Sequence, residues 1–160
     1  MYSIVKSILL AALLCAVTPA IAHAAEQAHA IVGTWKLNVS KSRYRPGPPP
    51  RSLTRTYVAT EHGLELTYSG ADADGNPTVG KHIINLDGKP YPEPDAPDYD
   101  TASSERLDRF TIRVKQSKNG RVVATLTYVV SKDGTHMTLT KQGVDAGGAK
   151  FDVVAVYDRG

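Results

Sequence analysis

Asp72, Asp74 and Asn76 stand at alternate positions, which is how a loop begins to collect oxygen ligands for calcium. The glycine falls at Gly75, inside the triplet, and the twelfth position is Ile83 where a bidentate glutamate is needed. The run therefore reads as a hairpin turn. His29, His62, His82 and His136, with His23 upstream, are widely spaced, and no His-x-His or His-Glu-x-x-His occurs. Ser103 and Ser104 precede Glu105, but there is no Gly-x-Ser-x-Gly elbow and no histidine close in sequence. Glu93 and Asp95 are spaced like a carboxylate pair, yet they lie on an exposed loop, where burial cannot tune a pKa. Neither a Gly-x-Gly-x-x-Gly nor a Walker sequence is present. The expectation is a protein that is not an enzyme, with no catalytic residue, no metal and no cofactor.

Two further groups point to binding. Lys41, Arg43, Arg45, Arg51 and Arg55, with Tyr44 and Tyr57 interleaved, could touch phosphates or an acidic glycan. Asp95, Asp98 and Asp100 offset them and the formal charge is only +3, so the cluster reads as a solvated face. No nucleic-acid partner is expected. The tyrosines are the second group. Tyr57, Tyr68, Tyr128 and Tyr157 all fall within alternating apolar runs, and a buried phenol must find a hydrogen-bond partner. They can pair with one another and with Arg159, or orient the polar head of an apolar ligand. These five are the candidate ligand-binding residues.

The elements that must position them have a period of two. Trp35, Leu37 and Val39 alternate with Thr34, Lys36 and Asn38. The same alternation runs through Leu64 to Ser69, Phe110 to Lys115, Val122 to Val130, His136 to Thr140 and Phe151 to Tyr157. Turn signals separate the runs, among them Asp87-Gly88, Asn119-Gly120 and Asp133-Gly134. The pattern predicts an all-β antiparallel meander of about eight to ten strands, closed into an up-and-down barrel. Lys41 to Pro50 and Pro90 to Asp100 are rich in proline and read as extended surface loops, rimming a barrel mouth or connecting its ends. A barrel of about eight strands has room for packed side chains or one small ligand. Leu53, Leu66, Val114, Leu126, Leu139 and Val153 are expected inside with the tyrosines.

At 160 residues, with 22% charged and 41% apolar side chains, the chain has the size and composition of one globular domain. Met1 to Ala24 reads as a secretory signal peptide. Lys6 supplies the basic start, Ile8 to Val17 the apolar run, and Ala22-His23-Ala24 the cleavage pattern. The run is too short for a bilayer core of roughly 30 Å, so no stable membrane insertion is expected after cleavage. Cleavage removes Cys15, the only cysteine, and with it all thiol chemistry. Residues 25–30 make a flexible lead-in and residues 31–160 the barrel domain. A periplasmic or secreted location follows.

Gly33-Thr34-Trp35-Lys36-Leu37 opens the first strand. A Gly-x-Trp there resembles the opening motif of the calycins, the lipocalins and fatty-acid-binding proteins. The resemblance implies that Gly33, Trp35 and Arg159 close one end of the barrel, the indole lying beneath the guanidinium. The chain is also similar to small exported lipocalin-like proteins of bacteria, through Asp-Gly-Lys-x-Tyr-Pro at Asp87 to Pro92 and Val-Ala-Val-Tyr at Val154 to Tyr157. Lys41 to Pro50 is too short and too rich in proline for the helical lid of a fatty-acid-binding protein. The Thr-Asp-Tyr motif of lipocalins is absent. The expected function is therefore broad. It is non-catalytic binding of a small hydrophobic or amphipathic molecule inside the barrel, its polar end fixed by tyrosines or Arg159. The alternative is a periplasmic interaction or inhibitor module with a filled barrel and partner-docking loops, the protein partner unspecified.

Overall fold

The computed structural model describes residues 29–160. The expected signal peptide and residues 25–28 of the lead-in lie outside the described residues. The strands are β1 Gly33–Leu37, β2 Arg43–Arg45, β3 Ser52–Ala59, β4 Gly63–Ala71, β5 Pro77–Asn85 and β6 Asp87–Pro92. They continue as β7 Thr101–Arg106, β8 Thr111–Lys118, β9 Arg121–Val130, β10 His136–Val144 and β11 Lys150–Arg159. Ten of them form one path in the order β5-β4-β3-β1-β11-β10-β9-β8-β7-β6. All pairings are antiparallel, and β1 pairs with β11 in the register Trp35 to Arg159. The sheet thus wraps into a barrel. Its ladder is incomplete at one place, between the edges β5 and β6.

The alternation works as the period-two pattern requires. On β8, Ile112, Val114 and Gln116 are buried while Lys115 is exposed. Three local features depart from expectation. Arg43–Arg45, within a stretch expected to be loop, forms the short β2 against β11, off the main path. Asp87–Pro92 pairs with β7 despite Pro90 and Pro92. That is tolerable because β6 is an edge strand, and the two prolines, sharing one parity, turn their missing donors toward the gap. A bulge at Val123 breaks the register between β8 and β9, so Val122 is 56% exposed although it shares parity with buried Ala124.

One end of the barrel is sealed. Trp35 is fully buried and its indole N–H donates to the Ile31 carbonyl at 2.6 Å. The Arg159 guanidinium lies 4.5 Å from the ring centroid. Its donors go to the carbonyls of Gly134 (2.7 Å), Val32 (3.2 Å) and Ala30 (3.1 Å). Gly33 has φ +130°, and a Cβ there would come within 2.6 Å of the Arg159 Nη1. Gly33, Trp35 and Arg159 are one assembly.

Candidate functional site

Above the sealed end the interior holds a second arginine. β3 turns Leu53, Arg55 and Tyr57 to the same face, and Arg55 stands opposite Trp35 on β1 and Tyr68 on β4. The Arg55 guanidinium lies 5.7 Å from the Tyr157 ring centroid, and its Nη1 donates to the Tyr57 hydroxyl at 3.3 Å. Its Nε is buried and has no hydrogen-bond partner among the described residues. None of the ion pairs among the described residues includes it. Burial opposes the charge on Arg55, and Tyr57, Tyr128 and Tyr157 raise its pKa through their Coulombic interaction as phenolates, which they are not at ordinary pH. Burial likewise pushes the Tyr57 and Tyr157 phenols up, so both are neutral at ordinary pH. Tyr57 meets Tyr128 edge-on, with centroids 6.4 Å apart and planes at 76°.

Arg55 faces a cavity of about 250 Å³. Leu66, Val114, Leu126 and Leu139 supply apolar wall, and Tyr68 and Tyr128 supply aromatic wall. Gln116 and Ser104, both buried, supply polar groups. A second cation enters from β10, where Lys141 shares the inward parity of Met137 and Leu139. Burial lowers the Lys141 pKa and Arg55 lowers it further, while Asp98 works the other way. Its Nζ sits 5.1 Å from the Phe151 ring centroid. The inner cavity therefore carries two cationic side chains, Arg55 and Lys141, and one acidic residue in its lining, Glu93.

The side wall at the gap between β5 and β6 is made of side chains rather than backbone ladder. Tyr68 and His82 stack at 5.8 Å with planes 13° apart. Gly80 makes this possible: a Cβ there would meet the Tyr68 hydroxyl at 2.2 Å. The His82 Nδ1 lies 3.6 Å from a Glu93 carboxylate oxygen, which joins β5 to the proline-rich loop. Tyr99 comes in from the same loop, its phenol pushed up by burial and then by nearby Glu93 and Tyr128. Outside this wall an open pocket of about 550 Å³ shares Tyr68, His82, Glu93 and Tyr99 with the inner cavity, so the two are continuous. Its rim carries Lys81, Glu93 and Asp95. The loop expected to rim a mouth or merely to connect thus forms part of the cavity wall.

No known family profile matches the sequence. No curated protein matches it either. Solved structures do. A zebrafish ileal bile acid-binding protein complexed with cholic acid superposes with a TM-score of 0.50 at 14% identity, over 82% of this chain and 99% of that one. As-p18, an extracellular fatty acid binding protein, gives a TM-score of 0.50 at 12% identity, over 82% of this chain and 96% of that one. The fold is calycin-like.

Within this calycin-like barrel the five candidate ligand residues separate. Tyr68 and Tyr128 line the cavity. Tyr57 and Tyr157 lie behind the Arg55 guanidinium, each about 1% exposed. Arg159 is at the sealed end with its donors on backbone carbonyls, away from the cavity. The interior cation is Arg55, although its basic neighbours in sequence point to a solvated face. The signal was present: Arg55 has the parity of Leu53 and Tyr57, and Lys141 that of Met137 and Leu139. Among the described residues no group of three metal-ligating side chains comes together. No described helix is long and apolar enough to cross a membrane.

Proposed function

We propose that this chain is an exported, non-catalytic binding protein for a small amphipathic molecule held inside the barrel. The apolar part lies against Leu66, Val114, Leu126 and Leu139, and an anionic head lies on Arg55. The observation that carries the reading is the half-buried Arg55 side chain on the cavity, with its Nε buried and unpartnered and no carboxylate paired to it among the described residues. A guanidinium left in that state costs free energy, and barrel stability alone gives no reason to keep it. An anion would satisfy it with charge-assisted hydrogen bonds. The two structural neighbours are named for bile acid and fatty acid binding, and an amphipathic acid is what this cavity suits. Since that likeness is one of fold, the weight rests on Arg55.

The test is native mass spectrometry of the protein isolated from the exported fraction of its own cells, followed by unfolding. The expected result is a stoichiometric small molecule that is lost when the chain unfolds. An empty chain that co-purifies with a protein would instead favour the interaction module.

A further inference from the structure

We propose that the cavity is built for a compact phenolic carboxylate, with one aromatic ring, a carboxylate at the Arg55 end and a hydroxyl at the other. This rests on the binding reading above and narrows it to a ligand class.

Size comes first. A cavity of ~150 Å³ holds one benzene ring. The inner cavity, about 250 Å³, fits a ring with two small substituents. A long alkyl chain would have to leave through the side wall and pass Lys81, Glu93 and Asp95, which stand among Ile83, Tyr91 and Pro97. The ends come second. A guanidinium offers donors only, and its complement is a group that only accepts, an ionised carboxylate. At the gap the Glu93 carboxylate accepts, and the Gln116 amide has an accepting oxygen. The complement there is a donor, such as a hydroxyl. The middle comes third. Tyr68 and Tyr128 flank the space with aromatic surface, and rings pack on one another edge-on or offset. An alkyl carboxylate satisfies the first end alone; a phenolic carboxylate satisfies all three regions.

Isothermal titration calorimetry on the full chain, unfolded and refolded to strip bound molecules, tests this with 4-hydroxybenzoate as the probe. The expected result is saturable binding, at least tenfold tighter than for the uncharged 4-hydroxybenzamide and tighter than for palmitate. Arg55→Gln is expected to weaken 4-hydroxybenzoate by about ten- to a hundredfold, the share of hydrogen bonds to a charged group. The same variant should weaken the amide far less, because a neutral carbonyl loses only an uncharged acceptor's share, and residual amide binding shows that the cavity is intact. Arg55→Lys should recover part of the loss. Palmitate binding more tightly than 4-hydroxybenzoate, with the same dependence on Arg55, would overturn the compact ring and leave the carrier reading standing. Equal affinity for acid and amide would overturn the anion. Silence from every probe, palmitate included, would overturn both readings.

Discussion

Among the described residues an arginine lies against a fully buried aromatic ring twice, and the two arrangements are opposite in their hydrogen bonding. At the sealed end Arg159 lies 4.5 Å from the Trp35 centroid and its Nε donates to the Gly134 carbonyl at 2.7 Å. Both of its terminal nitrogens also reach carbonyls. In the cavity Arg55 lies 5.7 Å from the Tyr157 centroid, donates to the Tyr57 phenol at 3.3 Å, has the Tyr157 phenol beside it, and leaves its Nε without a partner among the described residues. The same residue type is thus saturated by the described protein groups in one place and incompletely bonded by them in the other. A saturated cation stabilises the fold. An unsaturated one with its Nε buried destabilises it, and its presence points to a ligand.

That contrast can be broken by measurement, and the largest effect belongs to the sealed end. Trp35→Ala should cost about 3–5 kcal/mol in a denaturant melt, as truncation of a large buried aromatic does. A loss under ~1 kcal/mol would mean that Trp35 is no plug. Arg159→Met should cost roughly 1–3 kcal/mol, because three carbonyls lose a charged donor and the indole its cation. Arg55→Met should have the opposite sign. In the absence of ligand the variant should be about 1 kcal/mol more stable than the parent, with an unchanged m-value, since a charge whose Nε is buried and unpartnered is removed. If Arg55→Met destabilised the empty protein as much as Arg159→Met, Arg55 would be structural and the comparison would fail.

The smallest expected effect is a pH dependence at the sealed end. His29 is buried, its Nδ1 accepts from the Ile31 amide at 3.1 Å, and its Nε2 has no partner among the described residues. Burial lowers its pKa below the usual 6.5, Arg106 adding to this, while Asp108 and the Thr111 backbone work the other way. The unfolded chain therefore takes up the proton more readily than the folded one. The contribution is complete above pH 6.5 and is lost as the pH falls toward the lowered folded value. Melts of parent and His29→Gln across pH 5 to 8 should show a steeper loss in the parent. Parallel curves would contradict it.

The fold was legible because its signals are local. Alternation through Phe110 to Lys115 and Val122 to Val130, with Asn119-Gly120 between them, specifies a hairpin; only the bulge at Val123 escaped, because it is a matter of ladder geometry. The sealed end was legible only through the resemblance carried by Gly33-Thr34-Trp35, which implies Arg159 as the partner of the indole; the structure sets the two 4.5 Å apart. The cavity was half legible. Tyr68 and Tyr128 followed from parity, but Arg55 was grouped with its basic neighbours in sequence rather than with Leu53 and Tyr57 across the pleat. Parity alone could have placed it inside. That its Nε lacks a partner depends on side chains from β3, β9 and β11 meeting in space. No stretch of sequence carries that information. The side wall was illegible for the same reason, since the His82 to Glu93 contact joins β5 to a loop beyond β6.

The most direct test of the account is to watch the two Nε–H groups at once. In ¹⁵N-labelled protein the Arg55 and Arg159 side-chain resonances can be assigned by their loss in Arg55→Lys and Arg159→Lys. Titration with 4-hydroxybenzoate should move the Arg55 resonance downfield and saturably as its Nε gains an acceptor. The Arg159 resonance, already bonded to Gly134, should stay where it is. An Arg55 signal that does not move while surface arginines shift would contradict the claim that the barrel keeps this cation for an anionic ligand.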